Sequence, residues 1–168
     1  MKIAIISDTH DNLTTLEKAV LLMNKNGIEE IIHCGDICSS YTLEQLAKKF
    51  PGKIHVVFGN VDGDVFSISQ HKAMGDLPNV ILYGEIGELE LGGVKIAFAH
   101  SPKIAKALAA SGKYNIVFYG HTHRPWEETI NLTRLINPGN LSNLLYKASF
   151  AAYDFSTGKL ELKTLAQL

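Results

Sequence analysis

Ile3-Ala4-Ile5-Ile6-Ser7-Asp8-Thr9-His10 is a short apolar run that stops at a polar Ser-Asp-x-His segment. Four apolar residues, three of them β-branched, read as a strand buried on both faces. The pattern recurs down the chain: Ile31 to Cys34 lead to Asp36, Ile54 to Phe58 lead to Asn60, Val94 to Ala99 lead to His100, and Ile116 to Tyr119 lead to His121 and His123. Open α/β sheets carry their ligand sites outside the carboxyl ends of the strands. Five strands that each release an Asp, Asn or His at that end therefore predict seven polar side chains on one edge of the molecule. A packed core has no use for these residue types, whereas a metal ion needs several preplaced donors, so the recurrence points to a metal centre.

The segments between the runs say how the strands are joined. Leu13, Leu16, Ala19, Val20 and Met23 recur at helical spacing, with Gly27 at the position of a C-terminal cap. Thr42 and Gln45 have the spacing of a capping box, Leu43, Leu46 and Ala47 supply an apolar face, and Pro51-Gly52 ends that helix. Strand–helix–strand units imply right-handed crossovers and a parallel core. Residues 59–79 are polar and weakly periodic, which predicts a long functional loop with room for a short helix. Gly92-Gly93 supplies a hairpin turn, and Ser101-Pro102 opens a helix running to about Gly112. Further strands are expected at 126–131, 134–137, 148–154 and 159–165, giving the second half an antiparallel character.

At 168 residues the expectation is one domain spanning 1–168. Sixteen basic and seventeen acidic residues leave a net charge of −1, which offers no electrostatic footprint for duplex nucleic acid or an anionic membrane. The apolar stretch at the N-terminus ends at Asp8, too soon for a secretory signal, and no run approaches a membrane span, so a cytoplasmic location is expected. Cys34 and Cys38 flank Gly35-Asp36-Ile37 without the spacing of a redox or zinc pair, and read as incidental thiols.

Each motif is weak alone. Asp8-x-His10, Gly35-Asp36, Gly59-Asn60 and a lone His100 are all common in turns, and only Gly120-His121-Thr122-His123, with two imidazoles projecting to one side of an extended segment, suggests chelation by itself. In this order, each after an apolar strand, the set resembles the calcineurin-like metallophosphoesterases, in detail their small single-domain bacterial and archaeal phosphodiesterases. Ser7 to Asn12, His33 to Asp36, Gly59 to Gly63, Tyr119 to His123 and Ile136 to Gly139 carry the resemblance, which covers essentially the whole chain. It implies an α/β fold, a two-sheet mixed β-sandwich flanked by helices in four layers. It also implies that Asp8, His10, Asp36 and His123 hold one divalent cation, while Asp36, Asn60, His100 and His121 hold the other, with Asp36 shared. Mn²⁺ is the first expectation, and Ni²⁺, Co²⁺, Zn²⁺ and Fe²⁺ suit the same oxygen and nitrogen donors. The implied reaction is hydrolysis of small, nucleotide-like phosphodiesters by hydroxide generated between the metals.

One departure bears on that reaction. Many family members carry a histidine after Gly-Asn that serves as proton donor to the leaving group, and here the position is Val61. General-acid assistance is worth roughly 10²–10⁴-fold, so poor leaving groups should suffer most. Asp62 beside it is counted with Asp36 and Asn60 among the catalytic candidates, orienting a water, or else is a turn residue. Asn12 either contacts substrate or caps the first helix; Arg124 either contacts a phosphate or is solvated, and Lys103 is a weaker candidate. His33, His55 and His71 read as structural or surface residues. Two alternatives stand beside the phosphodiesterase: a monoesterase acting on a small metabolite, and a scaffold for protein partners like the retromer's small metallophosphoesterase-like subunit. Small members of the family often associate, which leaves a homo-oligomer open.

Overall fold

The apolar runs form strands whose alternate residues face two different layers. In β1 (Lys2–Ile6), Ala4 and Ile6 point to one side and Ile3 and Ile5 to the other, all fully buried. β2 (Glu30–His33) and β3 (Lys53–Val56) repeat this arrangement in parallel register with β1. A computed structural model, describing residues 1–165, shows the crossovers between them as α1 (Leu13–Lys25) and α2 (Ser40–Lys49). The remaining elements are α3 (Val65–Met74), β4 (Val80–Leu82), β5 (Ile86–Leu91), β6 (Val94–Ala99), α4 (Pro102–Ala110), β7 (Ile116–Tyr119), β8 (Trp126–Ile130), β9 (Thr133–Asn137), β10 (Ser149–Asp154) and β11 (Lys159–Thr164).

Two sheets result, ordered β11-β10-β1-β2-β3-β4 and β5-β6-β7-β9-β8. Three apolar clusters separate four layers. Leu16, Val20 and Met23 of α1, Leu43 and Leu46 of α2 and Ile68 of α3 pack on Ala4, Ile31, Ile54 and Val56 of the first sheet. Ile3, Ile5 and Ile32 meet Ile96, Phe98, Ile116 and Phe118 between the sheets. Ala105 and Ala109 of α4 cover Ala97, Val117 and Leu135 on the far side. The two-sheet sandwich with flanking helices is therefore the fold, as expected, and no helix of the structure is long and apolar enough to cross a membrane.

Residues 65–74 form the short helix for which the expected loop leaves room, α3, which buries only Ile68. Two local expectations change. The second half is not simply antiparallel, because α4 returns the chain to lay β7 parallel to β6, and β9 inserts parallel to β7 ahead of β8. The cap of α2 is Ser39, whose hydroxyl accepts from the Thr42 N–H, rather than Thr42 itself. β4, only three residues long, carries no periodic signal.

Candidate metal centre

Where each strand ends, the chain turns sharply. Asp8, His10, Asp36, His121 and His123 all adopt positive φ, at 53°, 45°, 59°, 69° and 59°. Asp and His tolerate this left-handed region better than most side chains, but such conformations persist only where neighbours over-determine them, and they gather at functional sites. Here the neighbours are backbone groups. The Asp8 N–H donates to Gly35 O at 3.0 Å, His10 N–H to Asp36 O at 3.0 Å, and Ser142 N–H to Asp8 O at 2.8 Å. Asn137 Nδ2 donates to Gly120 O at 2.8 Å and Asn140 Nδ2 to His123 O at 3.1 Å, so the loop after β9 pins the histidine loop. Close approach also demands glycine: a Cβ at Gly59 would overlap the Asp36 carboxylate, and one at Gly120 the Ser7 hydroxyl.

These turns bring the seven predicted donors to one edge in two groups. Ligand atoms of Asp8, His10 and His123 all lie within 4.8 Å of one another, and so do those of Asp36, His100 and His121. In the first group His10 Nε2 is 3.2 Å from His123 Nε2, and Asp8 Oδ1 is 3.3 Å from His123 Nε2. In the second, His121 Nδ1 is 3.3 Å from His100 Nε2, and Asn60 Oδ1 lies 2.8 Å and 3.0 Å from those same nitrogens. Asp36 joins them, its Oδ2 standing 3.7 Å from His10 Nε2 and 3.2 Å from His100 Nε2. Imidazole nitrogens facing one another around a buried carboxylate form a donor set that fits divalent cations, which replace nitrogen–nitrogen opposition with shared coordination. Outer contacts orient the rings: His100 Nδ1 donates to Cys34 O at 2.8 Å, while the buried Nδ1 of His123 has no partner among the described residues.

The electrostatics follow from this crowding. The Asp8 carboxylate, 3.8 Å from His10 Nε2, raises the pKa of His10, with Asp36 adding to it against the cost of burial. Burial opposes charge on His100, but Asp36 and Asp8 outweigh it and its pKa rises. Asp36 is also buried, yet His100 and the Val61 N–H, 3.0 Å from its Oδ1, hold its pKa down. Beneath the site His33 is pushed down to about 4 by burial. Its Nδ1 accepts from the Gly35 N–H at 3.1 Å, so the proton sits on Nε2, 2.8 Å from Thr9 Oγ1. Cys34 is raised well above the usual thiol range by burial and Cys38 to about 11 by burial and nearby carboxylates, which keeps both as thiols.

Several candidates stand elsewhere. Asp62, counted among the catalytic residues, spends both carboxylate oxygens on backbone donors: Oδ2 accepts from Asp36 N at 2.9 Å and Gly59 N at 2.7 Å, and Oδ1 from Cys38 N at 2.7 Å. It clamps two ligand loops together through three of the roughly four acceptor positions of a carboxylate. Asn12 takes the capping role expected as one of its two alternatives, accepting from Thr15 N at 3.1 Å, and donates to Ser142 O at 2.8 Å. Arg124 lies over the Trp126 ring at 5.2 Å. His55 bonds Glu30 at 2.8 Å and Tyr83 at 2.9 Å, and His71 pairs with Asp76 at 3.1 Å, both away from the centre. Val65 and Ser101, from the segments expected to shape the pocket, line a cavity of about 550 Å³ against Asn60, His100 and His121, together with Phe58, Gly84 and Glu85, which sequence reasoning missed. The five come from three separate connections, β3–α3, β4–β5 and β6–α4, and no local signal marks the missed ones.

Residues 1–158 match the calcineurin-like phosphoesterase superfamily domain. Phosphodiesterase MJ0936 of Methanocaldococcus jannaschii is 31% identical over 147 residues, covering 86% of this chain and 87% of that protein. Among solved structures, a novel archaeal phosphodiesterase superposes with a TM-score of 0.89 at 28% identity, over 98% of this chain and 100% of that one. Vps29 of Chaetomium thermophilum superposes with a TM-score of 0.71 at 16% identity, over 97% and 95% of the two chains, and so shares the fold alone. A family match over nearly the full length, together with a relative at that identity and coverage, makes this chain a member of the calcineurin-like phosphoesterase superfamily.

Proposed function

We propose that this chain, acting as a single domain, hydrolyses small, nucleotide-sized phosphodiesters with two divalent cations, manganese first among them. Hydrolysis of phosphoric esters is the activity of its family. The observation that carries the two-cation reading is the place of Asp36 Oδ2, within 3.7 Å of His10 and 3.2 Å of His100, because one carboxylate is thereby shared by both donor groups. Asp8, His10, Asp36 and His123 would hold one ion, and Asp36, Asn60, His100 and His121 the other. Such ions supply Lewis acidity toward phosphoryl oxygens and a hydroxide nucleophile near neutral pH.

The chain's own residues then set the preference for diesters. The cavity beside Asn60, His100 and His121 is lined by no lysine or arginine, so a dianionic monoester finds no extra side-chain cation there, whereas a monoanionic diester needs none. Val61 is 44% exposed, and only its backbone N–H reaches the donor set, at Asp36, so leaving groups must depart without a histidine at this position. Good leaving groups should therefore react fastest.

The test is hydrolysis of an aryl phosphodiester and the matching monoester by chelator-stripped protein, with Mn²⁺, Ni²⁺, Co²⁺, Zn²⁺ or Mg²⁺ added back. Mn²⁺-restored diester turnover that Asp36→Ala and Asn60→Ala both abolish supports the reading. Folded, metal-loaded protein that turns over neither ester sinks it in favour of a protein-binding scaffold, and a faster monoester rate favours the monoesterase.

A further inference from the structure

The cavity of about 550 Å³ opens on one side of the centre only. Asn60, His100 and His121 line it; Asp8, His10 and His123 do not. A phosphoryl group seated between the two donor groups would project one ester arm into this space, and the volume lies in the range of sites that enclose small organic ligands rather than a bare anion.

The walls differ sharply in chemistry. Phe58, two residues after β3, and Val65, the first residue of α3, present apolar surface. Facing them is Glu85, on the crossover where the chain leaves β4 of one sheet for β5 of the other. Glu85 is exposed and makes no ion pair among the described residues, unlike Glu30, Glu44 or Glu161. Ser101 adds a hydroxyl that is not spent on capping α4, although the residue occupies the cap position. The Phe58 backbone is tied to the Glu85 loop, its N–H donating to Gly84 O at 2.7 Å.

Resting on the phosphodiesterase reading, we propose that this cavity selects one ester arm of the substrate: a ring-bearing, donor-rich arm of nucleoside type that stacks on Phe58, donates hydrogen bonds to Glu85, and carries no second phosphate. An aromatic face accepts a flat ring whatever its identity. A free carboxylate takes amino or hydroxyl donors and repels an added phosphate dianion.

Calorimetry on Mn²⁺-loaded protein tests this without turnover. The probes are methylphosphinate analogues, with carbon in place of the bridging ester oxygen, that carry an ethyl arm, an adenosine arm, or an adenosine arm with a 3′-phosphate. The adenosine arm should bind about tenfold tighter than the ethyl arm, and Phe58→Ala should bring the ratio of the two affinities close to one. The added phosphate should weaken binding about tenfold, and Glu85→Lys should reverse the order. Equal affinity for the adenosine and ethyl arms, no binding of either adenosine probe, or a phosphate effect identical in wild type and Glu85→Lys would overturn the proposal. Selective binding in a protein that hydrolyses no aryl diester would instead uphold the pocket and overturn the phosphodiesterase reading.

Discussion

Truncating Asp62 to alanine should loosen the centre without removing any proposed ligand. The carboxylate accepts three backbone N–H groups, from Asp36, Cys38 and Gly59, at 2.7–2.9 Å, and the residue is 8% exposed. Hydrogen bonds to a charged acceptor contribute about 1.5–3 kcal/mol each, and a donor left buried forfeits the most. Asp36 N–H is buried while the other two donors are only partly so and can recruit water, so the loss should come to about 3–5 kcal/mol. Asp62→Asn keeps one acceptor oxygen and should lose about 1–3 kcal/mol. Because the clamp sets the spacing of Asp36 and Asn60, and a shift of about 1 Å can cost ~10²-fold in rate, turnover should fall alongside stability in both variants. Urea unfolding of chelated protein and Mn²⁺-dependent aryl diester hydrolysis measure the two effects. Asp62→Ala with a wild-type unfolding midpoint, metal requirement and rate would refute the clamp. An Asp62→Asn protein of intact stability that has lost turnover would instead favour Asp62 as the residue that orients a water.

Gly59→Ala should cost more in metal affinity than in fold, because its Cβ would overlap the Asp36 carboxylate and lie 2.7 Å from Asp36 N; unchanged Mn²⁺ binding by calorimetry would contradict this. Val61→His, at a 44% exposed position, should leave the unfolding midpoint unchanged and raise turnover of esters with poor leaving groups by up to about 10²-fold; an equal gain on good leaving groups would argue against proton donation. His33 has a folded pKa of about 4, below its unfolded value, so the folded state binds fewer protons and loses stability as pH falls through the window from about 6.5 to about 4. Between pH 7.5 and pH 5, chelated wild type should lose about 2 kcal/mol more than His33→Gln, and parallel pH slopes in urea unfolding would rule the assignment out.

How much was legible in the sequence varies with how far each signal reaches. The strands of β1, β2, β3, β6 and β7 stand out because burial on both faces demands unbroken apolar runs. The donors at their ends are equally plain, since Asp, Asn and His have no business in a core, and their common edge follows from parallel strands ending on one side. The bounds of helix α3 and the whole of strand β4 were illegible, because α3 buries a single residue and β4 is only three residues long, too little for a periodic signal.

What the chain's order of residues determined by itself was therefore the set of donors, the strands that deliver them and the absence of a histidine at Val61. Only the tertiary structure decided how they are shared and held: that Asp36 reaches both histidine groups, that Asp62 and Asn12 are occupied by backbone partners, and that Phe58, Val65, Glu85 and Ser101 form one cavity. The physical reason is the range of the forces. Propensity and hydrophobic periodicity act within a few residues and are written locally, whereas a carboxylate's partners are fixed by loops brought together from tens of residues apart when the two sheets pack.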